Sequence, residues 1–357
     1  MIIKIEKRSE YNRYSALDIS ILSVLLALAV ASIIMWAFRV SPTRAYYEIF
    51  VKTLSNKYGI SHVVARTIPL LLCSLGLVVC FKAGVWNIGA EGQLLMGAVA
   101  ATGVALYLMP QSPSWILLPT MFTLGAVMGA FWALIPALLK AKARVNEIIT
   151  TLMLNYVAEK IVEYLVYGPW KSPSGWGFPL TDTIPDQARL PLIPGTPVHI
   201  PTLGISLLSS ALVFLVLRKT SMGFELKVYG FSEKVAEYAT VSRTKVIVIS
   251  MVLSGALAGI AGVGEIAGIH YRLRLPRSIS GGYGYTGIIV AWLSRLNPLA
   301  CIPFSLLLSV LSVGSDAIQI TLKLPRGVIN IFNGLILVML LVLDFLAKYR
   351  IKVIKHE

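Results

Sequence analysis

Charge is what this chain has least of. Only 14% of its 357 residues are Asp, Glu, Lys or Arg, against roughly a quarter in a soluble globular domain. With 56% hydrophobic residues and a mean hydropathy of +0.76, that deficit points to a chain lying in a bilayer. Cysteine is scarce too. Cys73, Cys80 and Cys301 each sit in an apolar run. They form no disulfide framework and no metal spacing, and read as small buried hydrophobes. The histidines, His62, His199, His270 and His356, are scattered and make no ligand pair. There is no G-x-x-x-x-G-K-[ST], no H-E-x-x-H and no G-x-S-x-G. The chain therefore cradles no nucleotide phosphates in that manner, and an intramembrane hydrolase finds no support. No cofactor is implied, and no enzyme is expected.

Acidic residues are the scarcer sign: 17 against 32 Lys and Arg, a net charge of +15. No basic stripe interleaved with exposed aromatics is visible, so nucleic acid is not the expected partner. The excess fits basic loops against anionic membrane lipids.

Long apolar runs fill the rest. Candidate spans are 17–38, 61–81, 84–109, 115–139, 146–167, 202–217, 246–269, 283–294, 298–322 and 327–346. Each long run approaches what a hydrocarbon core of roughly 30 Å requires. The first ends in "MWAFRV" with no small-residue cleavage site, and reads as an uncleaved span. The expected fold is all-α: one transmembrane domain over 1–357, with about ten spans including broken helices. Ten spans put both termini on one side. Lys and Arg are more numerous in the N-tail, 140–147, 218–245 and the C-tail than in the opposite segments. The positive-inside rule makes that side cytoplasmic, in a multi-pass cell-membrane protein.

The segment 41–59 is too charged to span and reads as an amphipathic helix on the outer surface. Residues 168–201 carry eight prolines between Pro169 and Pro201. That density defeats helix and sheet alike, leaving an extracytoplasmic loop or linker. Two regions share a pattern of span, glycine-rich break and span. The first is 61–109, broken at Gly84–Gly92. The second is 246–294, broken at "SISGGYGYTG" (278–287). They enter the membrane from opposite sides, as inverted-topology repeats do, and transporters place substrate between such repeats.

Polar groups gather at the breaks. In "GVWNIGAEGQLLMGA" (84–98), Asn87 reads as an N-cap with a helix running from Ile88. Glu91 then falls in the first turn, on the same face, while Gln93 points elsewhere. A carboxylate in mid-span costs on the order of 2.5–3.5 kcal/mol. It therefore either lines a polar path or locks helices, for example through Lys82. At the second break, Tyr283, Tyr285 and Thr286 offer flat faces and hydroxyls suited to a polar ring; interfacial belt tyrosines are the alternative. In the fifth span Thr151, Asn155, Glu159 and Glu163 recur every four residues, beside Lys160. This stripe reads as pathway lining or as an internal seam. Arg272, Arg274 and Arg277 break the charge rule on the outer side, as a solvated loop or as a docking face for an acidic partner. In the long inner loop 218–245, Ser232 caps an expected short helix over 233–240, with Val235, Ala236 and Ala239 as its small apolar face.

Five stretches carry a resemblance: "FKAGVWNIGAEGQLLMGAVAA" (81–101), "KARVNEIITTLMLNYVA" (142–158), "GFELKVYGFSEKVAEYA" (223–239), "SGALAGIAGVGEIAG" (254–268) and "GYGYTGIIVAWLSRLNP" (282–298). The chain resembles the permease subunits of ABC importers for nucleosides and simple sugars, most strongly the nucleoside importers. The blocks occur in the family's order and cover most of the chain. The resemblance implies a second permease subunit (self or relative), cytoplasmic ATPase subunits, and an extracytoplasmic substrate-binding lipoprotein. It also makes 223–239 the segment that docks on the ATPase, with Gly223, Glu225, Gly230, Ser232, Ala236 and Ala239 as its candidate residues. The family is more apolar than "VAEKIVEYL" in the fifth span. The expected substrate path is bordered by Asn87, Glu91, Gln93, Asn155, Tyr283, Tyr285 and Thr286, and the expected solute is a nucleoside. A simple sugar or sugar oligomer is the alternative, and a stand-alone secondary transporter is the rival from another class.

Overall fold

The computed structural model describes residues 40–321 throughout, two strands at 2–7 and 349–354, and scattered helical positions within 25–36 and 334–342. Most of the expected spans 17–38 and 327–346 lies outside the described residues. Two compact units emerge, one of residues 61–309 and one of 1–60 with 310–357.

The larger unit is built on α1 (Lys57–Lys82), α2 (Ala90–Gly103, extended by a π-turn to Leu108), α3 (Ser114–Ala143) and α4 (Glu147–Tyr167). These are followed by α5 (Ile200–Lys219), α6 (Ser221–Phe231), α7 (Glu233–Tyr238), and α8 (Arg243–Gly264, continued by a π-turn to His270). Then come α9 (Pro276–Ser280), α10 (Tyr283–Leu293) and α11 (Cys301–Thr321). Six helical stretches among the described residues are long and apolar enough to cross a membrane: Lys57–Lys82, Ala90–Leu108, Ser114–Ala143, Ile200–Lys219, Arg243–His270 and Cys301–Gln319. The chain is an all-α polytopic bundle, as its composition required.

Two of the expected spans within the described residues are not among these six. Helix α4, expected over 146–167, is long enough but carries Glu159, Lys160 and Glu163 within it. Helix α10 has only 11 residues, about 16 Å at 1.5 Å per residue, and reaches roughly half-way across a bilayer. The chain enters it through left-handed turns at Gly281 and Gly282, so 278–287 is a true break rather than a kink in a longer helix.

Helices α2, α3 and α8 form the centre of this unit, and glycines set how closely they meet. A Cβ on Gly259 would overlap the carbonyl of Gly125. Any side chain there would part α3 from α8. Apolar side chains gain little from leaving lipid for protein, so membrane helices associate by such close backbone packing.

Residues 168–201 are structured, not a slack linker. The Thr181 and Ile184 amides donate to the Leu273 and Tyr271 carbonyls, and the Leu190 amide donates to that of Ala267. Arg189 lies 5.0 Å over the Tyr271 ring. The prolines forbid regular structure, so the backbone groups find partners one at a time along the end of α8.

The smaller unit holds the helical stretch Pro42–Ser55, as the charged sequence there led us to expect, with a π-turn at Tyr47–Lys52. Ala45 and Ile49 are its buried face. The part of α11 from Val310 onward belongs to this smaller unit: Ile49 packs on Gly314, and Thr321 donates to Glu48 at 3.4 Å. Strands β1 (Ile2–Lys7) and β2 (Tyr349–Ile354) pair antiparallel. This pairing is an addition to the all-α expectation. Both segments alternate apolar and charged residues, the period of a strand.

Candidate functional site

The first break runs from Ala83 to Gly89, between α1 and α2. The helix begins at Ala90, not Ile88, so Asn87 precedes it instead of capping it. The Asn87 side chain curls back and accepts from the Gly89 amide at 2.8 Å. Gln93 does not point elsewhere. It meets Asn87 amide to amide, with both Nδ2→Oε1 and Nε2→Oδ1 at 3.1 Å. Asn87 also donates to Ser254 Oγ of α8 at 2.9 Å. The expectation that Asn87 would share a face with Glu91 fails because the break is two residues longer than its composition indicated.

Glu91 turns to the other break. Its Oε2 accepts from the Gly284 amide of α10 at 2.8 Å. A Cβ on Gly284 would overlap the Glu91 backbone, so α2 and α10 meet at their first turns with nothing between them. One carboxylate thus lies at two helix N-termini, where both dipoles favour negative charge. Glu91 is 3% exposed. Lys82 makes no ion pair with it.

The third wall is α4. Asn155 accepts from the Gly92 amide at 2.9 Å and donates to the Ile88 carbonyl at 2.9 Å and to the Tyr285 hydroxyl at 3.2 Å. Thr151 accepts from the Ile88 amide at 3.2 Å. The polar stripe of α4 extends one period further back than its sequence reading, to Glu147. That residue accepts from the Trp86 amide at 3.3 Å and pairs with Lys140. Its position four before Thr151 was the available signal. Glu159 and Glu163 leave the network, and Glu163 pairs with Lys160 at 2.6 Å on the exposed side.

The network joining α2, α4, α8 and α10 is therefore tightly packed. Asn87, Gln93 and Asn155 are buried with Glu91. Tyr285, at 37% exposed, is the accessible member, and Tyr283 and Thr286 are half-buried beside it. Beside the first break, Trp292 stacks on both Phe81 and Trp86, which are tilted to each other, with ring centroids 5.3–5.6 Å apart. This trio was missed because Trp292 is far in sequence from Phe81 and Trp86.

The loop 218–245 forms two helices, α6 and α7, where one was expected. Ser232 caps α7, accepting from the Val235 amide. Gly223, Gly230 and Ala236 face the transmembrane body: a Cβ on Gly223 would overlap the Val216 carbonyl, one on Gly230 the Lys82 carbonyl, and Ala236 is buried. Gly230 also lies against Gly84, whose φ is +66°. Glu225 pairs with Lys245 at 2.8 Å. Glu233 pairs with Arg243 at 2.6 Å, and Arg243 donates to the Lys140 carbonyl at 3.4 Å. Ala239 is exposed, and so are the large side chains of Phe231 and Tyr238, at 88% and 94%.

The family described as the permease component of branched-chain amino acid transport systems matches residues 59–343. A glucose ABC transporter permease of Haloferax volcanii is 36% identical, over 98% of this chain and 93% of its own length. A guanosine ABC transporter permease of Bacillus subtilis is 29% identical, over 91% of this chain and 93% of its own. A nucleoside ABC transporter permease of Lactococcus lactis is also 29% identical, over 85% of each chain. The apolar helices, the two helix breaks and these alignments agree: this multi-pass membrane protein belongs to the ABC-importer permease family, of the nucleoside and simple-sugar type, and is a transport subunit rather than an enzyme.

Proposed function

We propose that this permease carries a solute with a sugar ring across the membrane, past the junction of its two helix breaks. ATP hydrolysis on separate cytoplasmic subunits would drive it. The observation that carries this reading is the Glu91–Gly284 hydrogen bond at 2.8 Å, with the coupling-segment residue Gly230 packed on the first break. A shift of α6 must move the Lys82–Gly84 turn, and that turn leads directly into Glu91. Tyr283, Tyr285 and Thr286 would face the solute. Asn87, Glu91, Gln93 and Asn155 would hold the two breaks in register while the units rock about them.

Of the two solute forms, a free monosaccharide is favoured by the 36% identity to a glucose permease. A nucleoside is the second reading, favoured by the two 29% relatives. Both readings share the inferred partners: ATPase subunits against α6 and α7, a second permease, and a binding lipoprotein on the outer side, with both termini cytoplasmic. Uptake into proteoliposomes holding the full importer tests the pair. Labelled glucose should accumulate with ATP and guanosine should not. The reverse result selects the nucleoside reading, and accumulation of neither overturns both. Tyr285→Phe, which keeps the ring and deletes the bond to Asn155, should lower uptake severalfold at unchanged expression.

A further inference from the structure

A basic cavity lies away from the helix breaks, at the end of the membrane span that α5 provides. Its volume is about 150 Å³, and Lys82, Arg218, Lys227 and Arg295 line it with Phe214 and Leu217. Among the described residues no carboxylate lines it. These cations come from four places in the chain: the last residue of α1, the last turn of α5, the middle of α6, and the turn after α10. Like charges gathered around one space repel. Such an arrangement needs a counter-charge. The ion pairs of the described residues supply none to Lys82, Arg218 or Lys227; Lys245, not Lys227, takes the nearby Glu225. The backbone at the cavity wall is also unusual. Arg295 and Leu296 are consecutive non-glycine residues with φ of +53° and +56°. Strain of that kind persists where the surroundings over-determine it, and it clusters at ligand sites.

The wall that continues from the cavity identifies the occupant. Helix α5 is the least covered of the membrane-crossing stretches, with 22% of its apolar window buried. Leu208, Leu212 and Leu215 are exposed on it, and with Arg218 they follow at spacings of four, three and three, one continuous face. An acyl chain lying on those leucines ends, at its polar head, beside Arg218 and the cavity mouth. We propose that the cavity holds the phosphate headgroup of an anionic phospholipid whose tails run along α5. Lys227 of α6 lines the cavity, so a bound headgroup would sit against the proposed coupling segment.

Native mass spectrometry of the full-length permease in mild detergent tests this. Phosphatidylglycerol should be retained in preference to phosphatidylcholine with the same acyl chains. Each neutralisation, Arg218→Gln or Lys227→Gln, should weaken retention about 5-fold, and the pair about 30-fold. The single variants keep the test open if the double variant does not fold. Equal retention of both lipids overturns the proposal, as does undiminished phosphatidylglycerol in all the folded variants. Inorganic phosphate bound as tightly as phosphatidylglycerol would assign the site to a soluble anion and overturn it. So would a carbodiimide cross-link from Lys227 to an ATPase carboxylate that excess phosphatidylglycerol leaves unchanged.

Discussion

A buried carboxylate in a membrane helix must be held by something, and for Glu91 that is the peptide backbone of the opposite break, not a cation. A hydrogen bond to a charged group contributes about 1.5–3 kcal/mol. Glu91→Ala should therefore lower the thermal midpoint and uptake together, and Glu91→Gln should do so less, because its amide oxygen can still accept from Gly284. Unfolding followed by fluorescence in detergent, beside uptake, checks this. A normal midpoint with lost uptake would make Glu91 a pathway residue instead. His199 makes a different residue-scale case. It is buried just outside α5, between Thr202 and the glycines at the end of α8, and neither ring nitrogen has a hydrogen-bond partner. Burial pushes its pKa from 6.5 down to about 4. The folded state thus disfavours the proton that the unfolded state accepts. Its neutral form is at no disadvantage above about pH 6.5, and stability is lost as pH falls from there toward 4, by on the order of 3 kcal/mol. In His199→Phe that share of the acid loss should vanish, so the gap in thermal midpoint between pH 7 and pH 5 should narrow. An unchanged gap would show that His199 is not the responsible group.

At the scale of elements, legibility followed periodicity. Long apolar runs made the spans readable, and the four-residue recurrence of Thr151 and Asn155 marked the buried face of α4. The sequence also placed the breaks, because glycine clusters interrupt apolar runs. It did not show where the helices restart. Gly89, Ala90 and Glu91 suit a loop or a first turn equally well, and only the contacts of Asn87 with Gln93 and Ser254 decide between them. Nor did it show that α10 is a half-helix, since the following 294–297 turn is no more polar than many helix ends. Helix α6 was hidden because "SMGFELKVYGF" carries two glycines, which lower helix propensity yet are what let α6 pack on α1 and α5. The rings of Phe231 and Tyr238, on either side of the Ser232 cap, are exposed and stack on no other ring among the described residues. Replacing both with Ala should reduce co-purification of the ATPase at least tenfold, since buried aromatics dominate interface energies, while the permease level stays unchanged. Full recovery of the ATPase would move the docking face elsewhere.

For the molecule as a whole, the glycines of α6 and the first break form a mechanical chain with the ion pairs beside them. Glu233 holds Arg243, Arg243 reaches the Lys140 carbonyl, Lys140 holds Glu147, and Glu147 receives the Trp86 amide. Gly230 reaches the same break directly through Lys82. Two short routes thus connect α6 and α7 to the turn that leads into Glu91 and, through it, to α10. A physical link is not yet a coupling, which requires that disturbing the link change the response of both ends. The most direct measurement is the ratio of solute transported to ATP hydrolysed, in proteoliposomes containing the complete importer with Gly230→Ala. The added methyl must displace α6 from the Lys82 carbonyl. Assembly and basal ATPase activity should be retained, with the transport ratio reduced at least tenfold. An unchanged ratio in the assembled variant would contradict this coupling.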